Sequence, residues 1–295
     1  MPFRKKVYKG DLLAKGTAVL LPTNLRQEHQ AISDLMNPDK FHGAGANRII
    51  VQEKIEDGFE ITAQCLTDGE IIIPLPEVMD FKKRFNEDYE GYNPNTGGKG
   101  SFTPVIKVTP LLRANIYQIF EKVVKGMIDE GLGSPPLINL NLKVPDEDHP
   151  KVLEINVRFG DPEFEALAML INFDLLQALK ATSQKNQLSL DMFKWRPGFG
   201  VAVVLETLEQ TNLPNSGRIV DGSLRNWYSN LRVFHSRTEY FKSKVKTTGL
   251  GRNLTIASHG PLLNKALENP YYLLNKKQIY IPGSHFRDDF EKYQS

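Results

Sequence analysis

With 295 residues, 40% of them hydrophobic and 24% charged, the chain is long enough for about two domains with cores of their own. Its 37 Lys and Arg against 35 Asp and Glu give a formal charge of +2 with both signs interspersed, which excludes the gathered basic face of a nucleic-acid binder. A single cysteine, Cys65, excludes an internal disulfide, no Cys/His cluster has zinc spacing, and no apolar stretch suits a signal peptide or a membrane span, so a cytoplasmic protein without nucleic-acid or membrane partners is expected.

In chain order, Val7-Tyr8 and Ala18–Leu21 read as short strands around the loop Lys9–Thr17, and Leu25, Ile32 and Leu35 predict a modest helix between Thr23 and Met36. Arg48–Val51, Glu60–Leu66 and Glu70–Leu75 follow as strands of an antiparallel sheet, the last two joined by a two-residue turn at Asp68-Gly69. Glu90–Gly100 (EGYNPNTGGKG) is turn-rich. Pro110–Gly131 then carries Leu111, Ile116, Ile119, Phe120, Val123 and Met127 on a helical period and stops at a glycine. Ile138–Val144 and Val152–Phe159 form a strand pair, and Phe164–Lys180 predicts one long amphipathic helix. The pattern breaks near Leu188–Pro197, where a domain boundary is expected. Gly200–Leu205, Arg232–Phe234, Arg252–Ala257 and Gln278–Ile281 supply the strands of a compact second domain, with turns at Pro214–Gly217 and Asp221-Gly222.

The chemistry concentrates in Lys151–Glu163, KVLEINVRFGDPE. Period-two alternation puts Leu153, Ile155, Val157 and Phe159 on a packing face and Glu154, Asn156 and Arg158 on the other. Side chains two apart on a strand sit about 6–7 Å apart at their bases, so a carboxylate and an amide carbonyl can converge on one hard cation. Arg158, next on that face, suits phosphate oxygens. Asn139 and Asn141 alternate on the partner strand. Asp161, Pro162 and Glu163 read as N-cap, first helical position and first turn. The same alternation is also that of any half-exposed strand, and DPE is also a plain helix cap. NPNTGGKG (Asn93–Gly100) can turn successive backbone N–H groups on an anion or be a long turn, since it lacks the Walker spacing. Lys9–Ala18 can close over phosphates through Lys9 or Lys15, or be a solvent turn. His235 lacks a partner for a metal cluster and reads as structural.

PNTGGKG (Pro94–Gly100) followed by Thr103-Pro104, VKGMIDEG (Val124–Gly131), KVLEINVRFGDPE with Asp174-Leu175, and the weaker VFHSRT (Val233–Thr238), Gly251-Arg252 and Phe286–Asp289 occur in an order that resembles glycinamide ribonucleotide synthetase, or phosphoribosylamine–glycine ligase, of the ATP-grasp superfamily. That resemblance implies an α+β, ATP-grasp fold of antiparallel sheets with covering helices and a small C-terminal α/β domain. Its divisions would be 1–66 (part of the lid and the hinge), 67–195 (the core with the metal site) and 196–295. It implies an ATP-dependent C–N ligase of purine biosynthesis that phosphorylates glycine so that the amine of phosphoribosylamine attacks an acyl phosphate. Carried over residue by residue, Glu154 and Asn156 are implied ligands of Mg2+ (or Mn2+) and Arg158 the catalytic arginine beside the phosphates. Lys9, Gln52, Glu53, Ile55 and Glu60 are implied ATP contacts, and Asp80, Lys82, Asn95, Thr96, Gly97 and Gly98 substrate contacts.

Departures from the family pattern accompany these matches. A loop near KADGLAAGKGV becomes KGDLLAKGTAV (Lys9–Val19), with Thr17 and Ala18 for lysine and glycine. DHKR becomes Asp80-Phe81-Lys82-Lys83, and a methionine becomes Lys99. The chain also begins where the family's lid is already under way. Two readings stand at this point: a ligase working with a separate chain that supplies the leading domain, and a non-catalytic nucleotide-binding remnant.

Overall fold

The computed structural model describes residues 5–11, 18–41, 48–146, 149–222 and 229–293, in two compact units. The expected loop residues Lys15, Gly16 and Thr17 lie outside the described residues.

The smaller unit comprises residues 1–57 and 92–97. It carries β1 (Lys6–Gly10), β2 (Val19–Leu20), α1 (Leu25–Met36) and β3 (Ile49–Glu53), with the strands in the order β2-β1-β3, all antiparallel. Helix α1 starts at Asn24, whose side chain accepts from Gln27 N at 2.9 Å and satisfies one of the free first-turn amides. Tyr8, Ala18 and Leu35 form a small core with Leu20, Phe41 and Ile49. Tyr8 Oη and Lys6 Nζ both donate to Glu28, tying the helix to the sheet.

The larger unit comprises residues 58–91 and 98–295. It begins with β4 (Phe59–Thr67), β5 (Ile72–Pro74), β6 (Met79–Asp80), β7 (Gly100–Thr103), α2 (Pro110–Asp129), β8 (Leu137–Val144) and β9 (Lys151–Asn156). The first sheet has the order β5-β4-β8-β9. Its hairpin at Asp68-Gly69 forms with four loop residues instead of two, because Thr67 pairs with Ile72 and Asp68 Oδ1 takes up the amides of Glu70 and Ile71 at 3.0 and 2.8 Å. Helix α2 is capped by Thr109 and ends before Gly131 at φ +72, the left-handed position that a side chain disfavours. Its buried stripe is Leu112, Ile116, Phe120 and Val124, spaced by four, and the predicted Leu111 is exposed. The stripe joins Ile61, Ala63, Ile138, Leu140 and Leu142 in one core, so this face of the sheet is apolar.

After α3 (Glu163–Ala168) and α4 (Leu175–Ala181) come β10 (Phe199–Thr207), β11 (Asp221–Gly222), β12 (Leu231–His235), β13 (Thr238–Phe241), β14 (Lys244–Thr247), β15 (Gly251–Gly260), α5 (Leu263–Asn275), β16 (Ile279–Tyr280) and β17 (Ser284–His285), and a second sheet forms from some of these strands together with β6 and β7. The path of the second sheet is β12-β15-β10-β7-β6, with β17 also on β10, while β11-β16 and β13-β14 form separate pairs outside it. Strand β10 therefore lies directly beside β7, across the expected division at 196. α3 approaches β10 so closely that a Cβ on Gly200 would stand 2.1 Å from Ala166 O. The single helix expected over Phe164–Lys180 is two short ones, because Asp174 opens a new helix by accepting from Gln177 N at 3.0 Å. Among the described residues no helix is long and apolar enough to cross a membrane.

Candidate active site

Strand register decides which side chains meet. Glu154 lies opposite Asn141 and Asn156 opposite Asn139, while Thr62 lies opposite Asn141, Gln64 opposite Asn139 and Glu60 opposite Lys143. Directly opposed residues share a face. Thr62, Gln64, Asn139, Asn141, Glu154 and Asn156 thus make one polar patch three strands wide, backed by the apolar face under α2. Glu60 and Lys143 extend it, 3.9 Å apart.

Parts of this patch are buried without being satisfied. Gln64 and Asn139 are 1% and 2% exposed, yet Gln64 Nε2 and Asn139 Oδ1 have no hydrogen-bond partner. Gln64 Oε1 accepts from Gly160 N at 3.3 Å, which fixes the amide with its donor end unpaired. Orphaned polar atoms in a native interior call for an explanation, and a bound polar ligand is one. Among the described residues no group of three or more His, Cys, Asp or Glu is arranged as a metal centre. The oxygen donors of Glu154 and Asn156 fit instead a magnesium or manganese ion whose shell is completed by phosphate oxygens and water.

Two local expectations change. β9 is an edge strand that ends at Asn156, with a register shift opposite Asn141/Leu142, so its apolar side is not packed along its length. Ile155 and Val157 are 47% and 58% exposed. Arg158 lies beyond the ladder, exposed, and its Nη1 donates to Phe159 O at 2.9 Å. Asp161 does not cap the next helix. The N-cap of α3 is Pro162, without a side-chain bond, and Asp161 receives Arg252 Nη1 at its carbonyl (2.5 Å) and at Oδ1 (3.0 Å).

Glu163 stands in the first turn of α3 as expected, and is also buried, 5% exposed and folded against Gly160, where a Cβ would stand 2.5 Å from its carboxyl carbon. Thr62 Oγ1 lies 3.0 Å from Asn141 Oδ1 and 3.2 Å from Glu163 Oε1. One hydroxyl proton cannot serve two acceptors at once. The Thr62 hydroxyl therefore donates to one or the other of these oxygens at a time. Burial raises the Glu163 carboxyl above its ordinary value. Asp80 is raised as well, first by burial and then by the charge of Glu163, while Lys82 opposes the rise in both. Asp80 Oδ1 also abuts Gly98, at φ +114, where a Cβ would stand 2.8 Å from that oxygen and 2.5 Å from Pro162 Cδ. Glu165 is pushed up to about 7, by burial and then by Asp161.

The larger unit therefore brings Glu60, Asp80, Lys82, Gly98, Glu154 and Asn156 to one polar region, linked through Thr62, Asn141 and Glu163. Thr62, Gln64, Glu163, Glu165 and Arg252 had no assigned place in it from sequence. The signal for Thr62 and Gln64 was their alternation with Glu60 on one strand. In the smaller unit, Lys9 pairs with Val19 and Ile50, and Gln52 with Val7, so Lys9 and Gln52 share the sheet face opposite the one bearing Tyr8. Glu53, opposite Lys6, is on the Tyr8 face. Ile55 follows the strand, half-buried. Asn95 and Gly97 are exposed and Thr96 half-buried in the same unit.

Antiparallel sheets with covering helices, one sheet presenting a carboxylate and amides on a polar face, define the class: this is an ATP-grasp fold. Residues 1–164 match the model of the phosphoribosylglycinamide synthetase ATP-grasp (A) domain, and the chain belongs to that family. It is 31% identical over 284 residues to the phosphoribosylamine–glycine ligase of Vibrio vulnificus (strain CMCP6), covering 96% of this chain and 64% of that protein. To the trifunctional purine biosynthetic protein adenosine-3 of Gallus gallus it is 33% identical over 291 residues, 97% of this chain and 28% of the other. The chain thus spans less than two thirds of the bacterial relative. Among solved structures, the phosphoribosylamine–glycine ligase of Thermotoga maritima aligns with a TM-score of 0.79 at 26% identity, over 96% of this chain and 68% of that one. The biotin carboxylase domain of Hydrogenobacter thermophilus 2-oxoglutarate carboxylase, solved with MgADP, shares the fold at 15% identity, over 97% of this chain and 59% of that one, with a TM-score of 0.69.

Proposed function

We propose that this chain carries the ATP-dependent step of a phosphoribosylamine–glycine ligase, joining a carboxylate to an amine through an acyl phosphate. The observation that supports it most is the register that sets Glu154 and Asn156 beside Asn141 and Asn139, on a face with orphaned buried polar atoms. Glu154 and Asn156 would hold Mg2+ or Mn2+, which supplies charge neutralisation of the phosphate oxygens when bound. Arg158, exposed at the end of β9, would release its bond to Phe159 O to meet the transferring phosphoryl group. Lys9, Gln52, Glu53, Ile55 and Glu60 would bind ATP. Asp80, Lys82, Asn95, Thr96, Gly97 and Gly98 would orient glycine and the acceptor amine, phosphoribosylamine.

The relatives are longer, so the test is run twice: with the chain alone, and with the leading domain of a bacterial relative added as a separate polypeptide. ADP release that needs Mg2+, glycine and the amine is the expected result, with a loss of about 100-fold or more in Glu154→Ala. A protein that releases no ADP in either arm, while calorimetry shows that it binds MgATP, would refute the ligase reading.

A further inference from the structure

The end of the chain grips the loop between β6 and β7. Phe290 stacks on Phe81 with ring centroids 4.1 Å apart and planes 5° from parallel, and Tyr293 meets Phe81 edge-on at 4.8 Å. Arg287, whose guanidinium carbon is 5.2 Å from the Phe81 centroid, donates from Nη1 to Lys83 O at 3.3 Å. Its Nε and Nη2 also fork onto Asp289 at 2.8 and 2.7 Å, and Asp289 Oδ2 in turn accepts from Glu87 N at 2.9 Å. Asn86 Nδ2 donates to Asp288 Oδ1 at 2.6 Å and Lys292 Nζ to Asp88 Oδ2 at 2.8 Å. The clamp extends to the glycine turn as well, since a Cβ on Gly100 would stand 2.3 Å from the Phe290 ring.

Which residues are gripped gives this contact its meaning. The tail holds the side chain of Phe81 and the carbonyl of Lys83. Asp80 and Lys82, at the alternate positions, are the ones whose charges act on each other and on Glu163. A buried Arg–Asp pair contributes little net stability compared with an apolar replacement, but its fork geometry fixes direction. Arg287 and Asp289 are 2% and 3% exposed.

We propose that residues 285–293 are a positioning element for the acceptor end of the site: by holding residues 81–88 from behind, they set where Asp80 and Lys82 stand. The proposal rests on the ligase reading only for what those two residues bind. Their placement is testable without turnover.

The experiment uses the full chain and two variants, Phe290→Leu, which keeps an apolar side chain but loses the stack, and Arg287→Lys, which keeps the charge but loses the fork. Amide hydrogen exchange and acylation of Lys82 by an amine-reactive ester are read by peptide mass spectrometry, with the exposed Lys122 as internal reference. Exchange over 82–88 is expected to quicken about tenfold and Lys82 labelling severalfold, with β8 and Lys122 unchanged. Unchanged rates over 82–88 in both variants would overturn the proposal, and so would equal acceleration in β8, which reports general loosening. If wild type ligates, KM for the amine should rise about tenfold while kcat and MgATP affinity hold within about threefold; an unchanged KM would count against the clamp. If wild type does not ligate, the functional reading fails, and exchange and labelling still decide the clamp.

Discussion

Lys99 gives the sharpest test of what burial does here. Its side chain is fully enclosed, with Nζ 2.8 Å from Glu206 Oε2, and Arg84 Nε lies 3.3 Å from the same oxygen. Burial pushes the ammonium down from 10.5 to about 8, against the pull of Glu206. A base with a lower value folded than unfolded carries fewer protons in the native state between those limits. Wild-type stability therefore gains as pH rises from about 8 to 10.5. Lys99→Met removes that gain and restores the thioether of the family's loop, while Arg84 still neutralises Glu206. At about 1.4 kcal/mol per tenfold, the gap is worth about 3 kcal/mol. Urea unfolding of both proteins at pH 7.5, 9 and 10.3 reads it, since subtracting the variant cancels the titration of the other lysines and tyrosines. The difference, wild type minus variant, should become more positive by about 3 kcal/mol across the series. A flat or falling difference would show that Lys99 is not desolvated as the structure has it.

Glu165 tests the opposite sign. Its folded value, about 7, lies above the ordinary 4.5, so its contribution is fully present below pH 4.5 and is lost as pH rises through 7. Glu165→Gln should therefore gain on wild type by about 2 kcal/mol between pH 4.5 and 7.5, after a discount for partial exposure, in the same urea assay. Gly98→Ala puts a Cβ 2.5 Å from Pro162 Cδ at a φ of +114, and a loss of about 2 kcal/mol or more is expected by thermal melting. A melt within a degree of wild type would contradict the packing of that turn.

What was legible in the sequence was local. Alternation placed Glu154 and Asn156 on one face, and the structure keeps them there because Asn141 and Asn139 stand opposite in register. The helix-stop signal foretold the end of α2, with Gly131 in its place, whereas its N-cap, Thr109, is supplied by the structure alone. Asp174 belongs to the same grammar, yet apolar periodicity on either side of it suggested one helix where its cap makes two. The contacts that assemble the site were not legible, because they join positions far apart in the chain. Thr62 and Glu163 are separated by 101 residues, Lys99 and Glu206 by 107, and Arg287 and Lys83 by 204. Lys99 looked like a loss at a substrate loop because its partner arrives only when β10 pairs with β7. Glu163 is the first-turn acid its position announces, but nothing local announces that Gly160 leaves room for its carboxyl to be buried.

The polar sheet face itself carries an energetic argument. A sheet covered on one side by α2 gains nothing in stability from burying Gln64 Nε2 and Asn139 Oδ1 unpaired on its other side, and each such atom costs about 1–3 kcal/mol. Natural proteins carry such costs where function needs them, at the expense of stability. Asn139→Leu keeps the side-chain size and removes the unpaired carbonyl, so it should raise unfolding stability by about 1 kcal/mol while lowering ligase turnover, because Asn139 stands directly opposite the proposed metal ligand Asn156. Denaturant titration and ADP release, measured on the same preparation, separate the two effects. A variant that is less stable than wild type would mean that the carbonyl is already satisfied by water, whereas one with unchanged turnover would place the orphaned amides outside the chemistry.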